Sequence, residues 1–271
     1  MSAVSPVTGR VLGFVALVAA VGCRSRPEPP APASTAAGPS RATDAAAPGR
    51  NERQAELDEL VSDISREAEI GDERVLAALR RVARHRFVPE NVAEAAYEDR
   101  PLPIGHGQTI SQPTVVAVMT ASVAPKKTDQ CLEIGTGSGY QAAILAELCK
   151  KVFSIEYVPE LARFAETNLR AAGYGPELVA LRTGDGYRGW PDSAPFDVVV
   201  VTAAPEKVPA PLLDQLAVGG RLVIPVGPEH QTQHLELYRR TAPGNSPGAF
   251  EKKTIMAVRF VPFVGEAREK R

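Results

Sequence analysis

The chain has 271 residues, 44% of them hydrophobic and 23% charged, a globular composition with room for one large domain or two small ones. Its 31 Lys and Arg against 32 Asp and Glu leave a formal charge of -1, which excludes a strongly basic nucleic-acid groove and any general attraction to an anionic membrane. Three cysteines, Cys23, Cys131 and Cys149, make no even framework; the last two fall in an expected buried strand and helix, so no disulfide is predicted.

Arg10 stands before the apolar run Val11-Leu12-Gly13-Phe14-Val15-Ala16-Leu17-Val18-Ala19-Ala20-Val21. The run is too short to span a bilayer and long enough for the core of a signal peptide. Ala20-Val21-Gly22-Cys23 resembles a bacterial lipobox with Cys23 as the lipidated residue, although Ala20 stands where leucine is usual. Residues 24–50 are dominated by Pro, Ala and Ser, which form no core and predict an extended linker. The expected organisation is a leader over 1–23, a linker over 24–50 and a folded domain over 51–271.

Leu57, Leu60, Val61, Ile64 and Ala68 recur at helical spacing, which predicts an amphipathic helix within 51–70. Gly71-Asp72 supplies a break and an N-cap for a second helix with Val75, Leu76, Leu79, Val82 and Ala83 on its apolar side. A stretch rich in turn formers covers 99–113, and Pro113 is the expected first residue of a helix reaching about Val123. Strand and helix then alternate: strand 130–134, helix 140–148, strand 152–156, helix 159–172, strand 178–182, strand 196–202, helix 209–216 and strand 220–226. Continuous apolar strands such as Phe196-Asp197-Val198-Val199-Val200-Val201-Thr202 belong to a parallel sheet covered by helices on both faces. Residues 235–240 and 254–264 read as late strands. The predicted fold class is α/β, doubly wound, with a mostly parallel sheet, N-terminal helices and late antiparallel edge strands.

Within this alternation, Cys131-Leu132-Glu133-Ile134-Gly135-Thr136-Gly137-Ser138-Gly139-Tyr140 runs from a buried strand into a glycine-rich turn, where the backbone can approach a ligand closely. A dinucleotide fingerprint wants a sixth-position glycine where this chain has Tyr140, and a P-loop wants Gly-Lys-Ser/Thr, which is absent. The remaining reading is the turn of the class I S-adenosylmethionine methyltransferases, Glu133 followed by Gly135, Gly137 and Gly139. Glu156 closes the next strand, where an acid suits the two hydroxyls of an adenosine ribose; the plain alternative is a solvent-facing strand-end glutamate. Asp185, between Gly184 and Gly186, is a candidate for the adenine amino group or an ordinary turn aspartate.

The loop Pro101-Leu102-Pro103-Ile104-Gly105-His106-Gly107-Gln108-Thr109-Ile110-Ser111-Gln112-Pro113, together with Leu132 to Gln141, closely resembles protein-L-isoaspartate O-methyltransferases. Gly184-Asp185-Gly186, Pro195-Phe196-Asp197, Val201-Thr202-Ala203-Ala204-Pro205, the run from Gly219 to Gly227 and Ala257-Val258-Arg259-Phe260-Val261-Pro262 match as well, so the resemblance covers roughly residues 55–265. It implies methyl transfer from S-adenosylmethionine to the free α-carboxylate of L-isoaspartyl residues in damaged proteins and peptides, whose ester then collapses to a succinimide. By the same resemblance Ser111 corresponds to the active-site serine, and Glu133, Gly135, Gly137, Gly139, Glu156, Asp185 and Gly186 fall on cofactor motifs. Gln233 matches a further cofactor position, and Thr109 and Ile110 share the loop that covers the methionine end of the cofactor and the substrate carboxylate. Local spacing alone leaves Ser111 open to a second role, that of a helix cap. Thr114 departs from the larger, often aromatic, residue of bacterial members.

His106 is read as a structural loop histidine, and His230 and His234, with no third ligand in view, predict no metal site. A monomer acting on isoaspartyl proteins is expected, with no membrane partner unless Cys23 is lipidated. Cofactor supply points to the cytoplasm; the leader points to an exported lipoprotein instead. Two rival classes share the motifs, a small-molecule methyltransferase and a non-enzymatic envelope binding module.

Overall fold

The computed structural model describes residues 52–266 apart from Asn245, so the expected leader and linker lie outside the described residues. Helix α1, Gln54–Glu67, buries Leu57, Leu60, Val61 and Ile64, the face its spacing predicts. Helix α2, Glu73–Arg81, starts where the Asp72 carboxylate accepts a hydrogen bond from Arg74 N at 3.0 Å, the expected cap. Short 3-10 turns over Arg84–Phe87 and Glu90–Tyr97 follow, with Arg84 and Phe87 fully buried.

The stretch expected as an irregular loop contains a small hairpin, β1 (Leu102–Gly105) against β2 (Gln108–Ile110). Its tip is Gly105-His106-Gly107, all three left-handed at φ 91°, 53° and 69°; two flanking glycines make that reversal cheap. His106 is the exposed tip residue. The strands escape sequence reading because three or four residues are too few to show a period. Helix α3 then runs Pro113–Val123 and stops at left-handed Ala124.

Seven strands form the main sheet: β3 (Gln130–Ile134), β4 (Lys151–Glu156), β5 (Val179–Thr183), β6 (Phe196–Val201), β7 (Leu216–Val226), β8 (Gln233–Arg240) and β9 (Phe250–Val258). Their spatial order is β5-β4-β3-β6-β7-β8-β9, parallel through β7 and antiparallel for the last two pairs. The expected doubly wound sheet with a late antiparallel edge is therefore what the chain forms. Strand β3 is the middle one of the five parallel strands. The chain winds from it to β4 and β5, then returns to β6 on its other side, which puts a topological switch point at the carboxyl end of β3.

The interior strands serve two cores because their side chains alternate. Val198, Val200 and Val223 pack with α1 to α3, with α4 (Tyr140–Ala146) and with α5 (Pro159–Ala171). Leu132, Ile134, Val199, Val201, Leu222 and Ile224 face the other way, toward Leu212 of α6 (Ala210–Asp214) and Phe263.

One expectation is corrected outright: Cys131 and Cys149 are joined in a disulfide. Cysteine parity misled because it counted Cys23, which lies outside the described residues, with the other two. The strand-turn-helix unit returns the chain to the end of the sheet where β3 begins, so residues 18 apart in sequence come to a Cα–Cα distance of 6.4 Å. Among the described residues no helix is long and apolar enough to cross a membrane.

Candidate active site

The glycine turn leaves β3 at Ile134 and is tied at once to its neighbours. Gly135 N donates to Ile155 O at 2.8 Å, and the Thr202 hydroxyl lies 3.0 Å from Ile134 O and 2.7 Å from Gly135 O. Gly135 has φ 91°, and a Cβ there would sit 2.5 Å from Thr202 Oγ1, so neither conformation nor space admits a side chain. Gly137 N donates to Glu156 Oε2 at 2.8 Å, and Val158 N donates to the other oxygen at 3.0 Å. Glu156 is thus a held carboxylate at the end of β4, not a solvent-facing one; it is 5% exposed.

A cleft of about 730 Å³, counting its open mouth, lies over this turn. The structure brings Thr109, Ile110, Ser111, Gly135, Gly137, Glu156 and Gly186 into its walls. Gly139 stands just behind as the left-handed N-cap of α4. Three other candidates lie outside the cleft wall. Glu133 is completely buried on the α3–α4 side of β3, in register with Ser154, whose hydroxyl donates to Glu133 Oε2 and lies 2.6 Å from Thr136 Oγ1. Burial pushes its carboxyl up to about 8. It supports the glycine turn from behind, through Ser154 and Thr136. Asp185 accepts from Tyr187 N at 3.0 Å and is covered by Gly265. Gln233 accepts from Phe260 N at 2.7 Å and donates to Pro228 O at 3.4 Å, bracing the turn between β7 and β8.

Ser111 is not the cap of α3. That position belongs to Gln112, which makes no side-chain cap bond, and the amide of Thr114 is taken by the Asp99 carboxylate at 2.8 Å. Ser111 keeps its place in the cleft wall.

Sequence reasoning passed over Thr202 and the segment 261–264 as site residues. Val261, Pro262, Phe263 and Val264 line the cleft because Ala204 N donates to Val261 O at 2.9 Å and Phe263 N to Ala204 O at 3.0 Å. Phe263 stacks on Tyr187 with ring centroids 4.2 Å apart. The resemblance at Ala257 to Pro262 marked part of this segment, but nothing local signals a pairing across almost sixty residues.

Among the described residues no cationic side chain lines the cleft, and its one carboxylate is Glu156. A pyrophosphate would want positive charge and a dense set of amides; a nucleoside carrying a positive sulfonium fits an acid, backbone amides and neutral hydroxyls better. A glycine turn at the switch point of a mostly parallel sheet, with an acid closing the second strand, defines the S-adenosylmethionine-dependent methyltransferase class.

The comparisons narrow the class. The family model for protein-L-isoaspartate(D-aspartate) O-methyltransferase matches residues 55–268. The Opitutus terrae protein-L-isoaspartate O-methyltransferase is 56% identical over 216 residues, 80% of this chain and 88% of the relative. The Gloeobacter violaceus enzyme of the same name is 53% identical over 76% of this chain and 98% of its own. A Plasmodium falciparum protein assigned to the same enzyme, crystallised with S-adenosyl-L-homocysteine, superposes with a TM-score of 0.66 at 25% identity, covering 77% of this chain and 98% of that one. This chain belongs to the protein-L-isoaspartate(D-aspartate) O-methyltransferase family.

Proposed function

We propose that the chain methylates the free α-carboxylate of L-isoaspartyl residues in damaged proteins and peptides, with S-adenosylmethionine as donor and Ser111 as the residue that holds the substrate carboxylate. The observation that carries the reading is Ser111 itself, relieved of capping by Asp99 and set in the same cleft wall as Gly135, Gly137 and Glu156.

When bound, the donor supplies an electrophilic sulfonium methyl group. Glu156 would accept from the ribose hydroxyls, and Gly135 and Gly137, which carry no side chain, would let the backbone approach the cofactor closely. A carboxylate is ionised at neutral pH, so the site needs no strong base; orientation and exclusion of water suffice. The Ser111 hydroxyl donates to one carboxylate oxygen and leaves the other free to attack. Charge is annihilated as the anion meets the sulfonium, so a cleft lined by Ile110, Ile134, Ile155 and Phe263 favours the reaction over bulk water. Thr109 and Ile110 cover the site from β2. A monomer is the proposed working unit, and residues 51–271 carry the activity. Incubation with paired isoaspartyl and aspartyl peptides and labelled donor tests the reading: label should enter the isoaspartyl peptide alone. Equal labelling of both, or of neither, rejects it.

For the compartment, donor supply alone argues for the cytoplasm. The Cys131–Cys149 disulfide favours the other reading, an exported protein held through Cys23, because structural disulfides persist where thiols are not kept reduced. Mass spectrometry of the protein from native cells decides between them: a diacylglyceryl group on Cys23 with the disulfide intact supports export, and an unprocessed N-terminus with Cys131 and Cys149 both as free thiols returns the enzyme to the cytoplasm.

A further inference from the structure

Helix α3 begins immediately after the active-site loop, and its first turn has no cap of its own. Pro113 carries no N–H, Gln112 makes no side-chain cap bond, and the first free amide is that of Thr114. Asp99, fifteen residues upstream, fills the gap. Its Oδ1 accepts from Thr114 N at 2.8 Å, and its Oδ2 accepts from Thr114 Oγ1 at 2.7 Å and from Gln112 Nε2 at 2.9 Å. The threonine that departs from the family pattern thus supplies two of the three bonds, and the one from its hydroxyl depends on its being threonine. All three fall on the two residues that flank Pro113, directly after Ser111.

Asp99 is itself held from below. The buried Arg84 guanidinium donates from Nε to Ala96 O at 2.9 Å and from Nη2 to Arg100 O at 3.4 Å, fixing the backbone on both sides of Asp99. On the far side of the loop, Leu102 pairs with Ile110, the residue before Ser111. Ser111 is therefore bracketed, by the β1–β2 ladder before it and by the Asp99 bonds after it.

We propose that Asp99 is a positioning residue for methyl transfer: it caps α3 from outside so that the Ser111 hydroxyl stays on the substrate instead of turning back onto the helix. A serine before an uncapped helix has an alternative partner in the orphan amides, and Asp99 removes that competition by occupying the Thr114 amide. Among the described residues its carboxylate bonds to Gln112 and Thr114, and Asp99 is not part of the cleft wall, so it acts through Ser111 and not on the reactants.

This rests on the reading of Ser111 given above, and a double-mutant cycle separates the two. Turnover and KM for an isoaspartyl peptide, with calorimetric affinity for S-adenosylhomocysteine, are measured for Asp99→Ala, Asp99→Asn, Ser111→Ala and Asp99→Ala/Ser111→Ala in the full chain, each checked for native circular dichroism. The expected pattern is a kcat lowered about tenfold in Asp99→Ala, a loss of the size that small misplacement of a reacting group causes. S-adenosylhomocysteine affinity stays the same, recovery is substantial in Asp99→Asn, whose amide oxygen still accepts from Thr114 N, and the double variant is no slower than Ser111→Ala. Full additivity of the two substitutions, or a loss of affinity matching the loss of kcat, overturns the role of Asp99 while leaving Ser111 in place. Unchanged turnover in Ser111→Ala overturns both. Asp99→Glu, which displaces the carboxylate from the Thr114 amide by one methylene, repeats the cycle if Asp99→Ala does not fold; the same non-additivity supports the role and full additivity rejects it.

Discussion

Glu156 and Gly137 are joined across the switch point by a hydrogen bond of 2.8 Å from the glycine amide to Oε2. One carboxylate therefore shapes the glycine turn and faces the cleft. Glu156→Ala should weaken binding of S-adenosylhomocysteine by roughly tenfold to a hundredfold, the scale of hydrogen bonds to a charged group of about 1.5 to 3 kcal/mol. Glu156→Gln, which keeps acceptors, should lose less. Calorimetric affinity unchanged in Glu156→Ala would remove it from the cofactor site.

Ser111→Ala should lower turnover by roughly a hundredfold while leaving S-adenosylhomocysteine affinity almost intact, because one misdirected carboxylate oxygen costs orientation and not cofactor contact. Steady-state kinetics on an isoaspartyl peptide read the first quantity and calorimetry the second. A loss confined to cofactor affinity would reassign the residue.

Glu133 makes stability depend on pH. Its carboxyl is raised by burial from 4.5 to about 8, so the folded protein keeps a proton that the unfolded chain has released. The stabilising contribution is complete below about pH 4.5 and is lost as pH rises through about pH 8. Glu133→Gln, neutral in both states, should flatten that part of the profile in urea titrations at a series of pH values. A slope unaltered by the substitution contradicts the placement of Glu133 as a neutral core acid.

The Cys131–Cys149 bridge closes a loop of 18 residues, for which the chain-entropy estimate is about 3 kcal/mol. Reduction should lower the melting temperature by roughly 6 to 12 °C for a domain of this size. Scanning calorimetry with and without reductant, with thiols counted after denaturation, measures it. An equal melting temperature for the fully reduced protein would mean the bridge adds no stability.

Much of the fold was legible because its signals are local. Helical spacing at Leu57, Leu60, Val61 and Ile64, the apolar run through Val198 to Val201, Pro113 at the start of α3, and glycines at 135, 137 and 139 each speak within a dozen residues. So does the contiguous run from Pro101 to Pro113 that places Ser111 in the cleft wall, and the acid at the end of β4.

The rest depends on which distant residues meet. Alternation puts Glu133 on the buried side of β3, where Ser154 of the neighbouring strand receives it, although in the sequence it reads as part of the ligand-binding turn. The return of one strand-turn-helix unit brings Cys149 to Cys131, and pairing across almost sixty residues lays 261–264 over the cleft beside Ala204. Asp99 reads as a turn residue until the hairpin folds it back onto Thr114. Periodicity determines which elements form and which way each faces; which carboxylate caps, which lies buried and which faces the ligand is decided only when the elements pack.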